Sequence, residues 1–349
     1  MKGDPDAQDR AGSGERLVEA PFKMHIPDAV LDPKVAVTTG VAAAAGLSAA
    51  LRYLEARLGE RTTVLMGTMS AFVFAAQMVN FPVGPLPISG HLLGGVLSAV
   101  MLGPWAGAVV IGAVLIVQCL LFGDGGLTAL GANFLNMGLI GSVGGYAIYA
   151  PIRRAIGGRA GVLIGAMVAA WFSVILASGA FAIELAFSSG WANFLQTLSW
   201  MALVHAGIGL GEAVVTGLVL RFILLTRADL VYQPEATALA KEPPRWWALI
   251  GAGLGIALAV CIFLAPFASE YPDGLEYVGG KLGFIAEDAP TLISAPIPDY
   301  SLPLLGAANV KAATALAGLV GTLIVFAVGL VLARVFAKPQ PVGVDPDAA

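Results

Sequence analysis

Apolar runs near the length of a membrane crossing recur along almost the whole chain, and they leave few folds open to it. A helix needs about 20 predominantly apolar residues to span the hydrocarbon core of a bilayer. Runs of that order lie at 35–53, 63–80, 105–122, 129–149, 161–187, 195–225, 246–267 and 307–337. A shorter one, 91–102, sits between a Pro-rich loop and Gly103-Pro104. Hydrophobic residues make up 58% of the chain and charged residues 12%, a balance that no soluble globular domain of this length shows. The expected fold class is all-α: a polytopic membrane protein with a seven-helix module followed by a two-helix hairpin.

The basic residues decide whether the short run counts as a crossing. Arg52, Arg57 and Arg61 follow the first run, Arg153, Arg154 and Arg159 the fifth, Arg221, Arg227, Lys241 and Arg245 the seventh, and Arg334 and Lys338 close the last. With 91–102 counted, all four clusters fall on one side, and the intervening loops 81–90, 123–128 and 188–194 contain no Lys or Arg. The positive-inside rule then makes the clusters cytoplasmic and puts Met24 outside. Leaving the short run out would move the later clusters to the opposite side.

Residues 24–227 form the first module, 228–245 a polar, Pro-bearing cytoplasmic linker, 246–337 the hairpin module and 338–349 a cytoplasmic tail. Between the hairpin's two runs lies an outer segment, 268–306, too short for a domain with its own core and expected to dock against the first module. Residues 1–23 break the charge pattern. They carry Lys2, Arg10, Arg16 and Lys23 among acidic residues and contain no signal-peptide core, so they are a poor segment to export ahead of an outside-facing Met24. The expectation is a polar extension upstream of the true first residue, Met24. Cys119 and Cys261 are single residues inside apolar runs and imply no disulfide, and a net charge of −4 gives nucleic-acid binding no support.

Met24-His25 is the most specific chemical feature. If Met24 opens the chain, its amine, the following amide nitrogen and the His25 imidazole close adjoining chelate rings on one ion. Nitrogen donors in a plane favour Ni(II) or Cu(II). His91 follows the loop 80–90 on the same outer side and is placed to supply a fourth nitrogen, against the simpler role of an interfacial helix cap. His205 and Glu212 lie seven residues apart on one helical face, as a metal or proton-relay pair or as a structural hydrogen-bonded pair, the latter being favoured. Glu184 reads as interfacial. Asp124 reads as a solvated turn residue or as a carboxylate behind a ligating imidazole. The methionines at 66, 69, 78, 101, 137 and 201 are scattered and read as membrane packing rather than copper ligands. No Gly-x-x-x-x-Gly-Lys-Ser/Thr loop and no His-Glu-x-x-His motif is present, so neither ATP hydrolysis nor zinc proteolysis has its parts.

These residues give the chain its resemblance. Met24-His25-Ile26-Pro27-Asp28, Ser89-Gly90-His91-Leu92-Leu93-Gly94-Gly95, 121–127, 131–138 and 207–213 occur in the order seen in the CbiM/NikM family, and Pro272-Asp273-Gly274-Leu275-Glu276 resembles the PDGLE domain of NikN-type proteins. The family consists of substrate-binding membrane components of energy-coupling-factor transporters for cobalt and nickel. The resemblance implies Ni(II) or Co(II) as transported substrate, with Met24, His25 and His91 as ligands. It further implies a separate transmembrane coupling protein and cytoplasmic ATPases as partners, in a bacterial inner (plasma) membrane. The fused arrangement shifts the preference modestly toward nickel. Two other function classes compete: a secondary metal/proton transporter built on a midplane His205/Glu212 site, and a membrane scaffold that binds no metal.

Overall fold

The computed structural model describes residues 24–55, 58–232, 246–285, 291–302 and 309–336. The expected extension 1–23, most of the linker and the tail 338–349 lie outside them. The described residues are mostly helical, with one short antiparallel hairpin among them pairing Phe81–Pro82 (β1) with Ser89–Gly90 (β2). In order the helices are α1 (Pro33–Glu55), α2 (Glu60–Gln77), α3 (Gly95–Leu102), α4 (Pro104–Val117), α5 (Leu130–Asn133), α6 (Gly145–Ile156), α7 (Gly158–Ser189), α8 (Phe194–Thr226), α9 (Trp246–Phe263), α10 (Gly274–Leu282) and α11 (Val310–Phe336). Wide π-turns extend α4 through Gln118–Phe122 and join α5 to α6 through Phe134–Gly144.

Every apolar run falls mostly on helix over its described residues, and among these residues six helices are long and apolar enough to cross a membrane. Their outward faces stay apolar: Leu195, Leu203 and Leu210 on α8 are each more than 60% exposed. Such residues suit a lipid surround, since a water-facing helix carries polar residues there. The interior is filled by α3 and α4, whose residues are almost all buried. Gly107 makes that packing possible, because a Cβ there would meet the backbone of Ala99 at 2.8 Å.

The short run resolves into two parts. Residues 91–94 are non-helical and α3 has only eight residues. Eight helical residues rise only about 12 Å, so the run continues along the bundle as a non-helical stretch followed by a short helix. Gly94, at φ 74°, makes the bend between them in the left-handed region open to glycine. At its far end the run reaches the arginine-bearing end of the bundle, where Tyr232 donates its amide to the Val100 carbonyl and Arg153 reaches the Tyr232 carbonyl. Arg61 meets Asp229 at that same end, and Arg227 grips Asp229 with two 2.8 Å bonds.

The second module packs on the first. Helices α9 and α11 lie against α2, where Gly318 and Gly321 face Met78 and Phe74 closely. The segment between them docks at the opposite end from the arginines. Ser89 donates its amide to the Pro272 carbonyl and its hydroxyl to the Tyr271 carbonyl, and the Ser269 amide donates to the Asn80 carbonyl.

Candidate metal-binding site

Residues 24–28 form an ordered buried strand of loop tucked between the π-turn after α4, α5 and the loop ahead of α3. Asn133 clamps it, accepting the Ile26 amide at 3.0 Å and donating to the Ile26 carbonyl at 3.1 Å. Gly126 donates to that carbonyl as well. Asp28 accepts from the Thr128 amide and hydroxyl at 2.8 and 2.7 Å and from the Leu292 amide. Burial raises the Asp28 pKa, but its hydrogen bonds with Thr128, Leu292 and Leu127 outweigh that and hold it below the ordinary 3.8.

This clamp presents Met24 and His25 to the interior. The Met24 nitrogen donates to Asp124 Oδ1 at 2.8 Å, and His25 is 2% exposed. Its Nε2 lies 2.9 Å from Gln118 Oε1, while Gln118 donates its amide to Gln77 Oε1 at 2.8 Å and Gln77 donates to the Leu93 carbonyl at 3.0 Å. The relay has one polarity. A carbonyl at its end accepts, so each amide donates in turn, and Gln118 presents an acceptor to the imidazole. His25 therefore carries its proton on Nε2 and a lone pair on Nδ1. That Nδ1 is buried and has no hydrogen-bond partner among the described residues.

His91 arrives from the other side, held by the hairpin and by Glu212, which accepts the Leu93 and Gly94 amides at 2.6 and 3.0 Å. Its Nδ1 lies 3.1 Å from the Leu92 carbonyl, and its Nε2 faces inward, 3.3 Å from the Met24 carbonyl oxygen. The two imidazole rings stand 5.6 Å apart at 68°. They open on a cavity of about 80 Å³, lined also by Asn136, Met137, Met201 and His205.

Met24, His25 and His91 are thus brought together. His205 joins the cavity wall, but its Nδ1 bonds the Met201 carbonyl within its own helix, and Glu212 is committed to the loop after His91. The hydrogen-bonded His205–Glu212 pair expected from spacing is not formed; the carboxylate holds two loop amides instead. Glu184 is not interfacial either: it is buried and accepts from Asn136 at 2.9 Å. Asp124 is 1% exposed and joins Met24 to the Tyr300 hydroxyl, which corrects the solvated-turn reading. The methionines at 66, 69, 78, 101, 137 and 201 are all buried in packing, as expected, though Met137 and Met201 also border the cavity. Gln77 and Gln118 escaped sequence reading; two glutamines inside apolar helices were the available signal, since a buried amide needs partners.

Among the described residues no three His, Cys, Asp or Glu side chains are gathered to hold a metal ion. Fold and pocket together describe a multi-pass membrane protein with a small cavity near one end of its bundle. Residues 25–230 match the model for the cobalt uptake substrate-specific transmembrane region, CbiM, and residues 247–338 match that for the PDGLE domain. The chain is 36% identical over 312 residues to a putative fused nickel transport protein NikMN of Archaeoglobus fulgidus, an alignment covering 89% of this chain and 98% of the relative. It is 30% identical over 308 residues to the fused nickel transport protein NikMN of Rhodobacter capsulatus, covering 80% and 88% of the two. A crystal structure of a truncated transition metal transporter superposes with a TM-score of 0.52 at 31% identity, covering 58% of this chain and 99% of that one. The chain belongs to the CbiM family, with a PDGLE domain fused behind the family's transmembrane region. It is a transport protein and not an enzyme.

Proposed function

We propose that this chain captures a divalent transition metal, nickel in preference to cobalt, as the substrate-binding component of an energy-coupling-factor transporter. The ligands are the Met24 amine, the His25 amide nitrogen and Nδ1, and Nε2 of His91. The observation that carries the reading is the buried, unpartnered lone pair on His25 Nδ1, set by the Gln118–Gln77 relay. A nitrogen desolvated without a hydrogen bond costs free energy unless a ligand takes it up. The names of its NikMN and CbiM relatives support nickel or cobalt as that ligand.

Selectivity follows from the amide. A peptide nitrogen gives up its proton only to a strongly polarising ion already anchored on both sides, which favours Ni(II) over Mg(II), Ca(II) and Mn(II). Proton release on binding makes capture weaken as pH falls. The amine ligand requires the functional chain to begin at Met24, with 24–227 as the metal-binding module, 228–245 as a cytoplasmic linker and 246–337 as the hairpin module. A separate coupling protein and cytoplasmic ATPases drive release inward across the plasma membrane, docking at the arginine-bearing face. Replacing His91 with Ala removes high-affinity nickel binding by calorimetry while the melting temperature stays within a few degrees. Unchanged affinity in that variant overturns the site.

A further inference from the structure

The second module places an acid beside the proposed ion. Asp273 caps α10, its Oδ1 accepting the Glu276 amide at 2.7 Å while the Glu276 carboxylate accepts the Asp273 amide. The cap turns the other oxygen inward. Oδ2 stands 3.9 Å from His91 Nε2, and both side chains are buried, at 6% and 9% exposure. Gly274, next in the chain, lets α10 approach this closely, because a Cβ there would meet Ile208 at 2.5 Å and the His205 ring at 3.1 Å.

The Nε2 of His91 faces two oxygens, those of Met24 at 3.3 Å and Asp273 at 3.9 Å. A cation held on that nitrogen lies beside both oxygens, and a carboxylate in that place attracts it. The other carboxylate nearby, Asp124, differs in that both its oxygens already accept hydrogen bonds, from the Met24 nitrogen and from Tyr300. Resting on the nickel reading above, we propose that Asp273 is a positioning residue for the transported ion, contributed by the PDGLE module: its charge holds the ion on His91. A divalent ion bound by one deprotonated amide and three neutral nitrogens keeps one positive charge. Buried at the site, that charge is worth much more to a carboxylate than it would be in water. The module thereby completes the site as well as covering it.

The test compares the chain from Met24 to Ala349 in detergent with its D273N and D273A forms, using nickel alone as probe. Asparagine caps a helix as well as aspartate does, so D273N keeps the α10 cap and removes only the charge. The expected result is a loss of nickel affinity of about tenfold or more in both variants, with faster release, while the melting temperature falls only in D273A. D273E, which restores the charge, recovers part of the affinity. Nickel affinity in D273N within about twofold of wild type, or affinity that merely tracks melting temperature across the variants, overturns the proposal and leaves the nitrogen site standing. A wild-type chain that takes up no nickel overturns both.

Discussion

At the residue scale the chemistry rests on which nitrogen of His25 is free. A neutral imidazole offers either nitrogen, and the chelate with the preceding amide needs Nδ1. The Gln118–Gln77–Leu93 relay settles the choice before any ion arrives, a preorganisation that metal-binding histidines commonly obtain from a carbonyl or carboxylate. Gln118→Leu is nearly isosteric and removes the acceptor. It is expected to weaken nickel binding by roughly 10- to 100-fold, the usual cost of losing such a partner, with the ligands themselves intact. Calorimetry of the variant checks this, and an unchanged affinity would show that the relay does not set the tautomer. The ligand candidates were legible in the sequence because Met24-His25 is a chelate by connectivity and His91 is one of only three histidines. The relay was not. Its members are 16 and 41 residues from their partners, and nothing in a single sequence pairs buried amides across helices.

At the scale of elements, two irregular segments make the site: the loop 24–32 and the stretch 91–94. The helices of the long runs were readable from apolar length, and the charge pattern asked 91–102 to cross; in the structure Ser89, just ahead of it, bonds the outer segment and Val100, near its other end, bonds Tyr232. That α3 occupies only eight of those residues was hidden, since composition does not distinguish a helix from an extended run buried in protein. The spacing of His205 and Glu212 misled for a related reason: a shared helical face brings two residues near, but a carboxylate binds the best donors in reach, here two loop amides at the bend. Asp28 ties the first irregular segment to Thr128 and to Leu292 of the second module. Its pKa is lowered on folding, so its contribution is present above the ordinary carboxylate value of 3.8 and is lost as pH falls through the lowered folded value. Asp28→Asn is therefore expected to cost roughly 1–3 kcal/mol at neutral pH and to flatten the loss of stability below about pH 4. Thermal melts of both proteins across that range test it; parallel acid profiles would contradict it.

At the scale of the whole molecule, two modules meet over one pocket. The nitrogens of the proposed site belong to the first, and the second covers the pocket through hydrogen bonds to Ser89, Asn80, Asp28 and Asp124. The arginines gather at the far end, away from the pocket, leaving the bundle with a pocket end and a basic end. A docking role for the outer segment of the hairpin was legible from its length, while the residues it presents to the site were not, because their meaning depends on the partner surface. The central claim is that the terminal amine at Met24 completes a planar nitrogen site. Its most direct measurement is the visible absorption and stoichiometry of nickel on the chain beginning at Met24, set beside the same chain with its Met24 amine acetylated. One nickel per chain with the spectrum of a planar four-nitrogen complex is expected, lost when the amine is blocked. Equal binding and the same spectrum in both proteins would contradict it.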